Sequence, residues 1–258
     1  MLCRNQERTG QEAGTLGQPT VRMARGDEEI VQALSLVHAA YVRSGLIEPN
    51  VFQLRVMPCH LLSTTEVIVA VLRGEVVATA TVVGDGQLGL PMEGLYSAEV
   101  KARRSRGRHL AEVSCFADRR EHLERQFPLV ARLMSLAIQC AARRGSDELL
   151  IAVHPRHGSF YERFFGFRVI GELKAYQSVN NHPAVPLSLD LRQLESVCPR
   201  GYQRVFRETF ADADFCYQPP SEELLAHLGR VIHSLSDSQA TAMIHDVRVA
   251  ETPVTVSF

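Results

Sequence analysis

His154 and His157 stand three residues apart, a separation at which two imidazoles can share a metal ion. Pro155 between them argues against a helix, and no third ligand has suitable spacing, so the pair reads as structural or as hydrogen-bonding side chains of a binding site. Cys115 with His157 would make a thiol nucleophile and its base, a second chemistry that the residue types permit. Glu112 falls in a predicted strand and Tyr161 in the first turn of a predicted helix. A carboxylate so placed can take a proton and a phenol can give one. The plainer readings are a carboxylate paired with a nearby arginine, and a core tyrosine packed among Phe160, Phe164, Phe165 and Phe167. Lys101 to His109, KARRSRGRH, is densely basic: a solvated helix face, or a surface on which Arg104 grips a carboxylate. No aromatic residues interleave this run, so nucleic acid is not the expected partner. Asp85, beside glycine, suits a turn.

The elements that must position these residues follow from hydrophobic period and breakers. A strand over Val21 to Arg25 precedes a helix capped by Asp27, with Ile30, Leu34, Val37 and Tyr41 on its buried face. Glu66 to Leu72 and Val76 to Val83, joined by Arg73-Gly74-Glu75, read as a hairpin. Gly84 to Pro91 is loop, Tyr96 to Arg106 a short helix, Leu110 to Phe116 a fourth strand and Phe127 to Arg144 a long helix with a wide apolar stripe. Glu148 to Val153 is a fifth strand ended by Pro155, Ser159 caps a helix through Phe165, and Phe167 to Leu173 and Val185 to Leu191 are further strands. The order βαββ(α)βαβαββ gives an α/β domain over residues 21–195. Residues 1–20 read as a disordered tail, and 196–258 as an extension whose one helix begins at Ser221.

With 258 residues, 45% hydrophobic, the chain can bury a full core, and a formal net charge of -1 offers no global field for nucleic acid or anionic lipid. Six scattered cysteines without a C-x-x-C pair read as reduced thiols, consistent with a cytoplasmic location. No apolar signal segment or membrane span is expected.

The element order and the run FYERFFGF, Phe160 to Phe167, resemble the GNAT acyltransferase superfamily. A finer resemblance, to the long-chain N-acyl amino acid synthases related to acyl-homoserine-lactone autoinducer synthases, rests on Gly89-Leu90-Pro91-Met92, Ala111-Glu112-Val113-Ser114, His154-Pro155-Arg156-His157 and Pro183-Ala184-Val185. It implies a mixed, largely antiparallel central sheet flanked by helices. It also implies transfer of a long acyl chain from the phosphopantetheine thioester of an acyl carrier protein to the amino group of an amino acid, tyrosine being the family-based expectation, with no permanently bound cofactor and no metal. By the same resemblance Glu112 is the base and Tyr161 the acid, while Asp85, Arg104, Ser114, Cys115, His154, Arg156 and His157 line the substrate site. The basic run would then dock the acidic carrier protein or, through Arg104, hold the acceptor's carboxylate. Autoinducer synthases often carry an arginine three residues after this glutamate, where Cys115 stands here. Ordinary GNAT enzymes place a glycine-rich turn after the fourth strand to grip the coenzyme A pyrophosphate. Asp118 to Gln126, DRREHLERQ, has no glycine, which suits a donor carried on a protein. The alternatives are a coenzyme A-dependent N-acetyltransferase of a small amine, and a non-catalytic module that binds an acyl ligand or a partner through the helix after Pro220. Oligomeric state is not legible.

Overall fold

The computed structural model describes residues 18–119 and 126–250. It begins with Thr20–Met23 (β1) and Asp27–Arg43 (α1), whose buried Ile30, Leu34 and Val37 fix the inward face. The helix starts at Gly26, φ 86°, and Asp27 does not cap it: its carboxylate accepts instead from the Ser221 amide and hydroxyl at 2.8 and 2.5 Å. Thr65–Leu72 (β2) and Glu75–Gly84 (β3) form the expected hairpin. Its turn is only Arg73 and Gly74, at φ 54° and 82°, the left-handed pair that matches the twist of the strands.

Glu93–Arg104 (α2) begins before the expected Tyr96, which sits at a kink with φ -118° and ψ 41°. Leu110–Asp118 (β4), Gln126–Arg143 (α3) and Glu148–Val153 (β5) follow the sequence reading closely. Pro155–Phe165 (α4) starts four residues before Ser159, because Pro155 occupies the first helical position, where its missing N–H costs nothing, and His154 is the cap. Proline ends the strand and starts the helix at once. The single strand expected over Phe167 to Leu173 is instead Arg168–Val169 (β6) and Lys174–Tyr176 (β7), and His182–Asp190 (β8) completes the sheet.

The eight strands run β1-β2-β3-β4-β5-β8-β6, with β7 also paired to β8. Every pairing is antiparallel except β4 with β5. One face packs on α3 and α4 through Leu133, Leu136, Ala137, Phe165 and Phe167; the other packs on α1 and α2 through Leu34, Val37, Tyr96 and Val100. This is the mixed α/β, GNAT-like architecture that the element order implied. Among the described residues no helix is long and apolar enough to cross a membrane.

The residues after 195 pack onto the same core. Leu194–Val197 (α5) leads into Pro199–Arg207 (α6), where the sequence reading had loop on the strength of Pro199, which instead occupies the first turn of the helix. Gly201 lies so close to α4 that a Cβ there would stand 2.7 Å from the Phe165 carbonyl oxygen. The Gln139 amide on α3 donates to the Val205 and Glu208 carbonyls at 2.7 and 3.0 Å. Glu222–Ala250 (α7) lays Leu224, Leu228 and Val231 against the α1 side of the core. The tail reading for residues 1–17 and most of the Asp118 to Gln126 run lie outside the described residues.

Because Gly201 has no room for a methyl group, Gly201→Ala is expected to destabilise the protein by about 1–3 kcal/mol, read as a lower denaturant midpoint with an unchanged slope. An unchanged midpoint would mean that α6 does not belong to the core.

Candidate active site

Parallel pairing of β4 with β5 covers only Leu110–Glu148, Ala111–Leu149 and Glu112–Leu150. Beyond Glu112, β4 stays with β3 as far as Asp118, and β5 stays with β8 as far as Val153. The two halves of the sheet therefore part. On the β3 side, Thr79 pairs with Ala117 and Thr81 with Ser114, so between these pairs one residue of β3, Ala80, opposes two of β4, Cys115 and Phe116. Cys115 takes up the extra length at φ 51°, the left-handed conformation that marks a bulge and that a non-glycine residue adopts rarely. Among the described residues the edge of β4 facing the gap has no strand beside it, so its backbone groups can bind an extended ligand or polarise a carbonyl there.

Glu112 is the last paired residue before the gap and is 2% exposed. Its carboxylate accepts the Met92 amide N–H at 2.9 Å. Burial pushes its pKa up to about 8, and the Met92 bond opposes only part of that rise. The Gly-Leu-Pro-Met segment delivers this amide because its loop is tied down. Arg104 donates to Asp85 at 2.6 and 2.7 Å and to Glu93 at 2.5 and 2.6 Å, using four of its five N–H groups. Gly89, at φ 67°, has no space for a Cβ beside the Glu93 carboxylate. Asp85 and Arg104 thus meet Glu112 through Met92, and Arg104 is engaged by two carboxylates of the protein itself.

Ser114 and Cys115 share β4 with Glu112. Burial raises the Cys115 thiol to about 11, leaving on the order of one molecule in ten thousand as thiolate at pH 7, too few for the nucleophile that Cys115 with His157 would have made. His154, Arg156 and His157 gather where β5 runs into α4. The His154 Nδ1 accepts the Arg156 amide at 3.3 Å and the His157 Nε2 accepts the Arg156 Nε–H at 3.0 Å. Burial lowers the His154 pKa, with Arg156 and His182 adding to it. Among the described residues no three potential ligands converge on a metal position.

Tyr161 belongs to the α3 and α4 side, its ring 6.2 Å from that of Phe165 and 5.8 Å from that of Phe167. Burial pushes its phenol up to about 12. At neutral pH the phenol is therefore protonated and able to donate a hydrogen bond. From the other side come residues whose roles the sequence did not announce: Tyr41, Arg55, Cys59 and Tyr176. The Tyr176 hydroxyl donates to the Pro91 carbonyl at 2.9 Å, and burial with the nearby Glu112 raises it to about 12. Arg55 carried one faint signal, a charge between the buried Leu54 and Val56.

The basic run is largely neutralised by the fold. Besides Arg104, Arg103 pairs with Glu148 at 3.0 Å, and Arg108 pairs with both Glu148 and Asp190. A cavity of about 950 Å³ opens beside it, at the ends of β4 and β5 away from the gap; Arg104, Arg108 and Arg144 line it with Asp85 and Glu93, and each of these guanidiniums is paired with a carboxylate of the protein.

The family model described as N-acyl amino acid synthase FeeM matches residues 32–190, more than half of the chain. The chain belongs to the FeeM family of N-acyl amino acid synthases. The solved structure of FeeM, an N-acyl amino acid synthase from uncultured soil microbes, superimposes with a TM-score of 0.62 at 26% identity, covering 72% of this chain and 98% of that one. The acyl-homoserine-lactone synthase LasI does so at 0.56 and 12% identity, covering 76% and 98%. BjaI, a coenzyme A-dependent acyl-homoserine-lactone synthase solved with S-adenosylmethionine and isopentyl-coenzyme A, does so at 0.53 and 14%, covering 78% and 92%. These last two share the fold. No curated protein matches the sequence. As a member of the FeeM family the chain is an acyltransferase acting on an amine, and the splayed strands with Glu112 at their fork lie inside the matched residues.

Folding buries Glu112 as an acid, so its pKa of about 8 exceeds the ordinary 4.5 and the native state holds a proton that the unfolded chain releases. Native stability therefore falls as pH rises from 4.5 toward 8. Glu112→Gln, which keeps an acceptor for Met92 and has no charge to bury, is expected to gain on the wild type by a few kcal/mol between pH 5 and pH 8.5. Thermal melts across that range check this, and a constant difference between the two proteins would contradict it.

Proposed function

We propose that the protein transfers a long-chain acyl group from the phosphopantetheine thioester of an acyl carrier protein to the amino group of an amino acid. The observation that carries this reading is the buried, nearly unpartnered Glu112 at the fork of β4 and β5. A carboxyl group of pKa about 8 is matched to an α-amino group, whose ordinary value is about 7.7–8.0, so proton transfer between them is close to isoenergetic. The thioester arm lies in the gap with its carbonyl toward the β4 amides. The amine attacks the carbonyl carbon, the N–C bond forms, and Glu112 takes the amine's proton. The C–S bond then breaks, and the departing thiolate receives a hydrogen bond from Tyr161 before it is protonated from solvent. Ser114 and Cys115 line the arm at the bulge, and His154, Arg156 and His157 stand at its mouth. Asp85 and Arg104 act through Met92 to position Glu112.

Support for a carrier-protein donor is the run Asp118 to Gln126, which lacks the glycines that let backbone approach a pyrophosphate. The fold by itself admits either donor, since BjaI is a coenzyme A-dependent enzyme. Tyrosine is the first acceptor to try, and a cytoplasmic location fits the carrier protein.

Purified protein is to be incubated with acyl carrier protein bearing C12 to C16 chains, or with acetyl-coenzyme A, and a panel of amino acids, with products identified by mass spectrometry. Fatty acylation of an amino acid from the carrier protein is expected. Product from acetyl-coenzyme A alone would make the protein an N-acetyltransferase. Glu112→Gln is expected to lower kcat by about 100-fold or more, and Tyr161→Phe by about 10-fold, the smaller effect reflecting a hydrogen bond rather than a proton transfer. The wild-type kcat/KM is expected to rise with pH to a midpoint near 8; a flat profile between pH 6 and pH 9 would remove Glu112 as the base.

A further inference from the structure

An amino acid has a carboxylate as well as an amine, and the following rests on the acyl-transfer reading above. The guanidiniums of Arg22, Arg103, Arg104, Arg108, Arg132 and Arg144 are each matched by a carboxylate of the protein. Arg55 has no such partner among the described residues. Its Nε is buried without a hydrogen-bond acceptor, and one terminal NH2 group donates to the Ser178 carbonyl at 3.1 Å. A buried donor left unmatched in the free protein is costly and is rarely retained without a use.

The loop that carries Arg55 is built to hold it still. The Arg55 amide donates to the Leu34 carbonyl on α1 at 3.1 Å, and the flanking Leu54 and Val56 are buried. Asn50 folds the loop upon itself, its side-chain amide donating to the Leu54 carbonyl at 3.0 Å while its Oδ1 accepts the Phe52 amide at 3.1 Å. Downstream, the His60 Nδ1 accepts the Met57 amide at 2.9 Å. The contact with Ser178 carries the guanidinium across to the segment between β7 and β8. Its charge is felt by Cys115 and Tyr176, two groups that also feel Glu112, so cation and base border the same pair of residues. They do not form an ion pair with each other; Glu112 accepts from Met92.

We propose that Arg55 is the binding site for the acceptor's carboxylate and the determinant that selects α-amino acids over simple amines. The Nε–H and a terminal N–H form the fork that a carboxylate accepts in bidentate fashion. A carboxylate held there turns the neighbouring α-amine toward Glu112, so one residue fixes both affinity and orientation.

The test compares an acceptor with its decarboxylated analogue, tyrosine with tyramine, or whichever amino acid the assay above selects with its own amine, at a fixed saturating acyl donor. Each variant is compared with wild type on one acceptor at a time, which removes the difference in amine pKa between the two. Arg55→Ala is expected to lower kcat/KM for the amino acid by about 30-fold or more, mainly through KM, and to leave the amine within about threefold, on the scale of a lost charge-assisted bidentate bond. Arg55→Lys, which keeps the charge without the fork, should fall between and serves as the folded control if the alanine variant does not fold. Equal losses on both acceptors, or an Arg55→Ala enzyme that still prefers the amino acid as strongly as wild type does, would overturn the proposal while leaving acyl transfer intact. A wild type that acylates neither acceptor overturns the acyl-transfer reading and this inference with it.

Discussion

The sheet is fastened at one end of its central pair and open at the other, and the rest of the molecule depends on both conditions. At the fastened end, Glu148 is almost fully buried and accepts from Arg103 at 3.0 Å, Arg108 at 2.9 Å and the Ser188 hydroxyl at 2.8 Å. Three donors around one carboxylate offset its desolvation and tie α2, β4, β5 and β8 together at the base of the fork. At the open end the bulge at Cys115 keeps β4 paired with β3 while it leaves β5. Past Glu112 each of the two strands keeps only its outer ladder, β4 with β3 and β5 with β8, and their inner edges face the gap.

Glu112 stands at the point where this arrangement is least comfortable. It has one hydrogen bond where Glu148 has three, and burial raises its pKa to about 8. A group arranged that way weakens the native state at alkaline pH, and groups whose environment works against their charge are concentrated in catalytic sites. The two glutamates, both buried and both on central strands, thus sit in contrasting environments within one sheet. The Met92 amide is held by a loop that Arg104 pins through Asp85 and Glu93, so a polar network away from the gap sets the hydrogen bond to Glu112.

The residues beyond the family match extend the same logic. Arg204 on α6 donates to the Arg163 and Phe164 carbonyls at the end of α4 and lies over the Phe164 ring, 4.5 Å from its centroid. α4 is thereby braced at its C-terminal end, while its N-terminus carries the His154 to His157 cluster. α7 closes the opposite flank over α1, and through α1 supports the loop of Arg55.

Local pattern and covalent chemistry were enough to read most of the elements from the sequence. The period of Ile30, Leu34 and Val37, the apolar stripe of α3, the Arg73-Gly74 turn and the alternation in β2 and β3 are properties of short segments, and those elements appear where the pattern puts them. The motifs around Glu112, His154 and Tyr161 named the family for the same reason, since each is contiguous. Where one residue serves two elements the reading slipped: Pro155 both ends β5 and opens α4, and Asp27 serves Ser221 instead of its own helix. What no segment encodes is which distant groups meet. The parting of β4 from β5, the capture of Arg104 by Asp85 and Glu93, the bond from Met92 to Glu112 and the approach of Arg55 to the Cys115 and Tyr176 wall join residues from different elements and loops. Burial and electrostatic environment are properties of that assembled neighbourhood, so the sequence could nominate Glu112 as a base while only the tertiary structure could set its proton affinity.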